Sequence, residues 1–462
     1  MAVPEGGEPS AEATCVRGVK VLSWAFFGLF AGFGAAQALE SSLNATLGFI
    51  NLAALYTSFV IVGLFCSPVI SSIVARCGWR TVFIMASVTY ITMILANLDT
   101  ARSNWVIQPI FSILNGAGGA FLWTTQNTYF GQCAHHAGIA AATAEGTDVQ
   151  DAVKVKATQF NSSFFGVFQF SNTAGCLISS GLMLAFAGVA WVREVLYFAL
   201  AGAAVCGASV FLMLPHIELS SDSQEEAPSI SSAFKAIMDI KFVLLMPWII
   251  TNGMTYAFVN ADFMADVVSP LLGSGYVGFM AAAFYFSDMV FTMSWGQFIS
   301  KRCLSRRLTF MATTVFWAAF LSLKILWTRE PNFKKDGDDW KRIDGAHVEL
   351  LDVVLPLALC VLAGAGDAFW TPGPPAVLQS FFADSNLMGA MAAYKAIQSL
   401  GFAVQFTIGA VFGGDPTLRS LILLGCCTVS FVSVISLDSL KQSLDPRTPA
   451  LVEASPCERE YE

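Results

Sequence analysis

Charge is scarce in this sequence, and its scarcity excludes an ordinary soluble protein. Only 13% of the 462 residues are Asp, Glu, Lys or Arg, whereas soluble globular domains carry about 25%. Hydrophobic residues make up 55% of the chain and stand in long runs rather than at amphipathic spacing. Because a run of about 20 apolar residues crosses a bilayer as a helix, the composition predicts an integral, multi-pass membrane protein surrounded by lipid.

Other absences narrow the function further. The 11 cysteines are scattered without C-x-x-C or Cys/His spacing, so we predict no metal site and no cofactor. No basic stripe interleaved with aromatic residues points to nucleic acid as a partner. The first apolar run is too long for a cleavable signal peptide, and none is expected. No nucleophile and base stand in a catalytic motif, so the chain is predicted not to be an enzyme.

The apolar runs and the charged breaks between them predict an all-α membrane protein with twelve transmembrane helices. The helices are expected at about 19–39, 48–73, 81–98, 105–130, 157–186, 195–214, 240–260, 276–298, 308–327, 350–376, 387–413 and 417–437. The polar stretch between them divides the chain into two halves. The expected segments are a disordered N-terminus at 1–16, a first half at 17–214, a linker at 215–239, a second half at 240–437 and a tail at 438–462.

An even number of spans places both termini on one side of the membrane. If that side is the cytoplasm, 15 of the 25 Lys and Arg residues lie on it, in agreement with the positive-inside rule. The charged loop at 328–348 is the exception on the opposite side. Asn44 begins a glycosylation sequon that falls on this opposite side too. Whether the membrane is the plasma membrane or an endomembrane is left open.

A glycine-rich phrase, G-A-G-x-A-F, occurs twice, at 116–121 and at 364–369. A phosphate-binding loop would follow a strand and open a helix, whereas both copies lie inside apolar runs too long for a strand. Two further matches follow in the same order, namely Arg76-Cys77 with Arg302-Cys303 and Gln169-Phe170 with Gln405-Phe406. The matches predict two six-helix pseudo-repeats, which indicates the major facilitator fold, with a substrate site between the halves. The glycines are expected to let helices pack closely.

Three stretches of the first half carry recognisable motifs. They are Q-x-L-x-S-S-x-N, met by Gln37, Leu39, Ser41, Ser42 and Asn44; W-x-x-Q-x-x-Y, met by Trp123, Gln126 and Tyr129; and F-N-x-x-F-x-G, met by Phe160, Asn161, Phe164 and Gly166. These stretches resemble the Unc-ninety-three-like, ion channel regulatory branch of the major facilitator superfamily. The resemblance implies two possible functions, since some members regulate potassium channels or escort membrane receptors and others look like transporters.

Among the ionisable side chains inside predicted spans, three stand out: Asp288, Asp367 and Lys395. Charge at membrane depth is costly and usually faces a cavity or pathway. Asp288 or Asp367 is therefore expected to bind a proton or another cation that biases the inward or outward state. The alternative is a structural Asp367–Lys395 pair. Asp262 and Asp266 are expected at the outer surface, in water.

Amide side chains concentrate in the predicted helices four, five and eleven. An unpaired amide costs several kcal/mol in lipid, so these groups are expected to face one another or a polar central cavity. The members chosen as cavity candidates are Gln126, Asn161, Gln169, Gln398 and Gln405.

Basic turns follow the second and eighth predicted helices. Major facilitators latch their helices on the inner side with such a turn, which here comprises Arg76, Gly78 and Arg80 in the first half and Arg302 and Arg306 in the second. Val74-Ala75 stand where the usual Asp would precede the turn, so anchoring by positive charge explains these residues equally well.

The pattern as a whole favours a secondary transporter that moves a small solute or ion by alternating access, with possible proton coupling. The alternative is a protein of the same fold that does not transport but regulates or escorts a channel or receptor in the membrane. The intramembrane carboxylates favour the first hypothesis, and the incomplete latch favours the second.

Overall fold

The computed structural model describes residues 11–98, 104–146, 148–217, 230–300, 306–326, 333–336, 339–342, 349–382 and 387–444. In chain order the helices are α1 (Ala11–Leu95), α2 (Ile107–Glu145), α3 (Val149–Ala185), α4 (Val192–Val210), α5 (Ile230–Met238), α6 (Ile240–Ala257), α7 (Ser269–Leu272), α8 (Val277–Ser300), α9 (Arg306–Leu326), α10 (Leu350–Trp370), α11 (Gly373–Phe382), α12 (Leu387–Val411) and α13 (Pro416–Leu444). We call residues 11–217 the first part and residues 230–444 the second part.

α1 is broken twice, so it runs as three successive helical segments at 11–44, 46–77 and 79–95. Ala45 has φ 47° and ψ −131°, and Gly78 has φ 77° and ψ 157°. Glycine adopts positive φ readily because it has no Cβ, whereas alanine rarely does. Both breaks fall between the apolar runs predicted at 19–39, 48–73 and 81–98. After the first break Gly48 lies directly against the backbone of Glu40, so the first two segments pack side by side.

Seven stretches of the described residues are long and apolar enough to cross a membrane. They are Glu12–Phe65, Val192–Met213, Ile240–Leu272, Ser274–Trp295, Arg307–Leu326, Leu350–Pro375 and Pro416–Leu437. α2, α3 and α12 are also long, with 39, 37 and 25 residues. These three helices carry the amides noted in the sequence, which lower their hydropathy. The protein is therefore an integral membrane protein, as its composition predicts.

The helical stretch that begins with α6 extends well beyond residue 260, where the seventh span was predicted to end. It continues as π-helical turns over Phe258–Val268 and then as α7. The sequence suggested an end here because Asn260, Asp262 and Asp266 interrupt the apolar run. Their side chains do not mark a surface, however, since Asn260 and Asp262 are buried.

Aromatic side chains fill the core of the first part. The Phe26 ring packs edge to face against Phe83, Trp123, Phe164 and Phe211, with ring centroids 5.0 to 6.5 Å apart. These residues come from α1, α2, α3 and the turn after α4, so one aromatic cluster joins all four helices of the first part. Edge-to-face pairs add to the stabilisation given by apolar burial.

The duplicated glycine phrase lies at helix crossings, as predicted. A Cβ on Gly116 would overlap the carbonyl oxygen of Leu55, and a Cβ on Gly364 would overlap the backbone of Phe284. α2 therefore touches α1, and α10 touches α8, backbone against backbone. Lipid supplies no hydrophobic drive between helices, so such close approach carries much of the packing.

One short antiparallel hairpin departs from the predicted all-α fold. β1 (Phe333–Asp336) pairs with β2 (Asp339–Arg342), with Phe333 opposite Arg342. It lies in the charged loop at 328–348, where strands can form outside the helical bundle. Residues 1–10, 218–229 and 445–462, which belong to the predicted tails and linker, lie outside the described residues, and so does Arg302.

We predict that Gly364→Ala and Gly116→Ala each lower the thermal stability of the detergent-solubilised protein. Each added methyl group meets backbone that cannot yield, and overpacking of this kind costs about 1–3 kcal/mol. Gly202→Ala is the matched control, because nothing lies within 4 Å of its added Cβ. A Gly202 variant as unstable as the other two would show that the loss does not come from the crossings.

Candidate functional site

A chain of hydrogen bonds inside the second part leads to a buried carboxylate. Lys395 Nζ donates to Gln398 Oε1 at 3.1 Å, and Gln398 Nε2 donates to Asn252 Oδ1 at 2.6 Å. Asn252 Nδ2 in turn donates to Asp367 Oδ1 at 3.2 Å. Thr371 Oγ1 donates to the second oxygen, Oδ2, at 2.9 Å. We call these residues the Asp367 chain; they join α12, α6 and α10 around a carboxylate that is fully buried.

A second chain joins the two parts of the molecule through Asp288. Gln169 Nε2 on α3 donates to Asp288 Oδ2 on α8 at 2.8 Å. Thr292 Oγ1 lies 3.0 Å from Asp288 Oδ1 and also 3.0 Å from the carbonyl oxygen of Ala368 on α10. Asn172 Nδ2 approaches Gln169 Oε1 at 3.4 Å. This Asp288 chain places a carboxylate that is 1% exposed where α3 packs against α8.

The predicted alternative of an Asp367–Lys395 ion pair is wrong. The two residues lie on one chain of hydrogen bonds, but Gln398 and Asn252 stand between them. Asp288, which had no evident partner in the sequence, has two in Gln169 and Thr292. Amides and hydroxyls among the described residues thus hydrogen-bond to these carboxylates, as burial of a polar group requires.

The Lys395 ammonium also lies over two aromatic rings. Its Nζ is 5.3 Å from the ring centroid of Trp123 on α2 and 5.4 Å from that of Tyr394. Trp123 is itself held edge to face by Phe30 and Phe168. A cation over an indole face is attracted by the ring quadrupole, so Lys395 links the second part to the aromatic core of the first.

The remaining amide candidates have varied environments. Gln405 is fully buried and donates to Asp262 Oδ2 at 3.0 Å. Gln126 is 1% exposed, and its Nε2 has no hydrogen-bond partner among the described residues. Asn161 is half-buried on α3. Three of the five predicted amides, Gln169, Gln398 and Gln405, therefore belong to networks that contain a carboxylate.

A cluster of charges that sequence reasoning missed surrounds Arg419 at the start of α13. The guanidinium pairs with Asp262 through Nη1, and its Nη2 lies 2.8 and 2.9 Å from the two oxygens of Asp266. Lys324 Nζ is 3.6 Å from Asp266 Oδ2. The Arg419 side chain is 1% exposed and that of Asp262 is 0% exposed. The prediction that Asp262 and Asp266 are solvated is wrong, because the helix that carries them continues and its partners are buried.

A second missed cluster surrounds Glu40, which is 1% exposed. Asn44 Nδ2 and Asn51 Nδ2 donate to Glu40 Oε1 at 3.1 and 2.9 Å. The same two amide groups donate onward, from Asn44 to Asn97 Oδ1 at 2.6 Å and from Asn51 to Gln108 Oε1 at 2.8 Å. We call these five residues the Glu40 cluster. Sequence reasoning placed Glu40 between the first two spans and gave it no function.

One signal in the sequence could have found both clusters. The spacing along the chain from Arg76 to Arg302 is the same as the spacing from Glu40 to Asp266 and from Arg193 to Arg419. We call this spacing the repeat offset; the Gln169–Gln405 and Gly116–Gly364 matches lie at longer spacings. Applied to acidic as well as basic residues, the repeat offset pairs the two buried clusters with each other.

The sequon asparagine belongs to the Glu40 cluster. Asn44 Nδ2, the atom to which a glycan would be attached, donates to Glu40 and Asn97, and Asn44 Oδ1 accepts from Arg193 Nη2 at 3.3 Å. Glycosylation of Asn44 stays a prediction, and it requires this cluster to open.

The basic turn in the first part holds the end of α4. Gly78 breaks α1, and the next two residues donate to the backbone beyond α4, with Trp79 Nε1 2.9 Å from Ile217 O and Arg80 Nε 2.7 Å from Leu214 O. Arg76 is exposed, and Arg306 begins α9. Within the described ranges no group of three or more His, Cys, Asp or Glu side chains is arranged to hold a metal ion.

Comparison with known protein families gives one match that covers the Glu40 and Asp262 positions. A family model described as "Ion channel regulatory protein UNC-93" matches residues 40–265. Among curated proteins, UNC93-like protein 3 of Arabidopsis thaliana is 26% identical over 434 residues, which cover 89% of this chain and 84% of that protein. Protein unc-93 homolog A of Xenopus laevis is 25% identical and covers 85% of this chain and 86% of its own. The resemblance noted in the sequence is confirmed.

Solved structures share the fold at low sequence identity. A mutant of the nucleoside transporter NupG superposes with a TM-score of 0.64 at 12% identity and covers 92% of this chain and 99% of its own. The D-xylose-proton symporter gives a TM-score of 0.59 at 12% identity over 91% of this chain and 96% of its own. This likeness shows that the chain has the fold of the major facilitator transporters.

We predict that Arg419→Met destabilises the protein by about 3–5 kcal/mol, since it leaves the buried carboxylate of Asp262 without a cation and leaves Asp266 with Lys324 alone. Adding Asp262→Asn should restore most of the loss, as measured by thermal unfolding in detergent, because Lys324 and Asp266 then remain as a pair. Lys156→Met is the control, because Lys156 and Glu12 form a partly exposed pair, 21% and 40% exposed, worth about 0–1 kcal/mol. Failure of this double variant to recover would mean that Arg419 does more than neutralise Asp262.

Proposed function

We propose that this chain, a relative of the UNC-93 proteins on the major facilitator fold, is a secondary transporter of a small polar solute or ion. One observation carries the proposal: two buried carboxylates, Asp288 and Asp367, are held by amides and hydroxyls on helices of both parts. Ionisable groups at membrane depth mark substrate or ion pathways by default. We place the solute beside these two chains and assign proton or cation coupling to Asp288 or Asp367.

The proposed architecture is twelve spanning helices in two six-helix repeats, 17–214 and 240–437, joined by a linker at 215–239. The breaks at Ala45 and Gly78 support it, because they divide α1 into three segments. The repeat offset supports it as well, since it relates basic turns and buried charges in the two parts. We place both termini in the cytoplasm, on the side where most Lys and Arg residues gather.

Alternating access would then be a rocking of one repeat against the other. Two contacts between the parts involve Ser41, near the end of the first segment of α1, and Tyr56, inside the second segment. Ser41 Oγ donates to Ala261 O at 3.1 Å, and the Tyr56 ring stacks on Phe402 at 4.4 Å. These contacts support a state closed on the non-cytoplasmic side. Opening that side must break the Gln169–Asp288 hydrogen bond, so a change in the charge of Asp288 would alter the balance between the two states.

The second candidate function is regulation or escort of an ion channel or receptor within the membrane. The description of the matched family as ion channel regulatory favours it. On this hypothesis the buried polar chains fix the packing of the helices, and a partner membrane protein binds the lipid-facing surface.

The test is transport by the purified protein in liposomes with a trapped pH-sensitive dye. Pentoses and nucleosides, which are transported by the proteins of like fold, are the first probes. We expect solute-dependent proton movement that falls by on the order of tenfold or more in Asp288→Asn or Asp367→Asn. Asp239→Asn is the control, because this carboxylate only caps α6 by accepting from Lys241 N at 2.8 Å.

Two results would count against the proposal. Flux that is unchanged in both Asn variants would remove Asp288 and Asp367 from the site. If the folded wild type moved none of the probes and no protons, but purified in a stable complex with one membrane protein, the regulatory function would replace transport.

A further inference from the structure

Lys395 is a cation between the two parts of the chain that has no counter-charge among the described residues. The ion pairs found there involve Lys156, Lys324 and Arg419, and Lys395 belongs to none of them. Neither Asp367 nor any other described carboxylate is close enough for a Coulomb interaction with the ammonium. Because an unpaired charge at membrane depth is costly and marks a pathway for solutes or ions, the position favours an anionic ligand.

The ammonium group points toward the middle of α12 rather than toward its near end. Lys395 lies in the first half of this 25-residue helix, yet its Nζ donates to Gln398, one turn further along. Side chains on a helix lean toward its N-terminus, and a lysine that only reached for water at the helix end would follow that lean. The bond to Gln398 and the rings of Trp123 and Tyr394 therefore hold the charge inside the bundle.

The region around Lys395 contains space that water reaches. Lys395, Trp123 and Gln169 each keep part of their surface exposed, and so do Tyr56 and Phe402. Every one of these side chains contacts a residue of the opposite part, through a ring contact or a hydrogen bond. Their exposed surfaces therefore border the gap between the two parts, where a small solute has access to the ammonium.

Aromatic rings continue along the gap beyond the ammonium. Phe402 lies on the same face of α12 as Lys395, two helical turns or about 10 Å further along. Its ring stacks on Tyr56 of the first part at 4.4 Å and lies 5.4 Å from the ring of Tyr256. A solute that fits this gap combines one negative charge, placed at Lys395, with a short apolar body that contacts the rings.

We propose that the gap beside Lys395 binds a small organic monocarboxylate with an apolar body. Gln398 uses one of the three hydrogens of the ammonium, and the others donate charge-assisted hydrogen bonds to the carboxylate. A monocarboxylate balances the single ammonium, whereas a dicarboxylate would bring a second charge that no cation in the described part of the gap meets. This inference names the solute class of the transporter proposed above and rests on that proposal; Lys395 is the residue that selects the solute.

The test is thermal unfolding of the full-length protein in detergent as sodium benzoate replaces sodium chloride at a constant ionic strength of about 0.15 M. We expect a saturable rise in Tm of several degrees, because a ligand that binds only the folded state stabilises it. Benzamide has the same ring without the charge and should give no rise at equal concentration. This comparison uses the wild type alone, so it stays decisive even if a substitution impairs folding.

Variants of Lys395 test whether its charge makes the site. Lys395→Met removes the charge from a side chain of similar length, and the affinity for benzoate should fall on the order of tenfold or more, because hydrogen bonds to charged groups are among the stronger ones. Lys395→Arg keeps the charge and should bind benzoate more tightly than the Met variant does. Lys156→Met removes the partly exposed lysine that pairs with Glu12 and should bind benzoate as the wild type does.

Two of the possible outcomes would overturn the inference at once. No rise in Tm with benzoate over chloride, or an equal rise with benzamide, would mean that the gap does not select an organic anion. An unchanged benzoate affinity in Lys395→Met would place the anion elsewhere.

Uptake of labelled benzoate into proteoliposomes, above the leak into protein-free liposomes, separates this inference from the transport proposal. Uptake that falls in Lys395→Met would support both. Binding to Lys395 without uptake would leave the anion site in place and count against transport. Flux of a pentose or nucleoside without any benzoate binding would keep transport and reject the monocarboxylate.

Discussion

The exclusion of water from the interior of the bundle is the constraint on which the rest of this structure depends. Inside it, every charge must be met by another charge, by hydrogen bonds or by an ion. The buried carboxylates of this chain are compensated in different ways at different places. Arg419 neutralises Asp262 and Asp266 directly, whereas amides and hydroxyls hold Asp288 and Asp367. Each solution fixes the rotation of several helices at once, because its partners come from different elements.

The two kinds of solution suit different tasks. A buried carboxylate that is already paired with a guanidinium has no uncompensated charge for another cation to neutralise. The Arg419 cluster is therefore a structural ion-pair network. Carboxylates held by neutral groups keep a demand for positive charge, which a proton, a metal ion or a charged solute can meet. On the transport proposal, the amide-held Asp288 and Asp367 are the positions at which a proton or solute would exchange, because their partners come from helices that would move against each other.

The sequence predicted what depends on composition and order along the chain. Charge scarcity and apolar runs indicated a membrane protein, and the glycine phrase located the close crossings at Gly116 and Gly364. Depth in the membrane singled out Asp288, Asp367 and Lys395, but their partners depend on helix rotation, which no single run encodes. Asp262 was misplaced because π-helical turns carry α6 past a polar interruption. Glu40 was missed because it stands at the end of an apolar run, where surface exposure is the ordinary expectation.

The order of synthesis gives the Glu40 cluster a further consequence. Asn51 is made 57 residues before its partner Gln108, and Asn44 is made 149 residues before Arg193. The first helical hairpin thus leaves the ribosome while most of the groups that will surround its carboxylate do not yet exist. Until α2 and α4 arrive, that carboxylate must stay at the aqueous boundary or carry a proton. During synthesis of this chain, the first hairpin can therefore reach its final position in the membrane only after the helices that surround its carboxylate have been made.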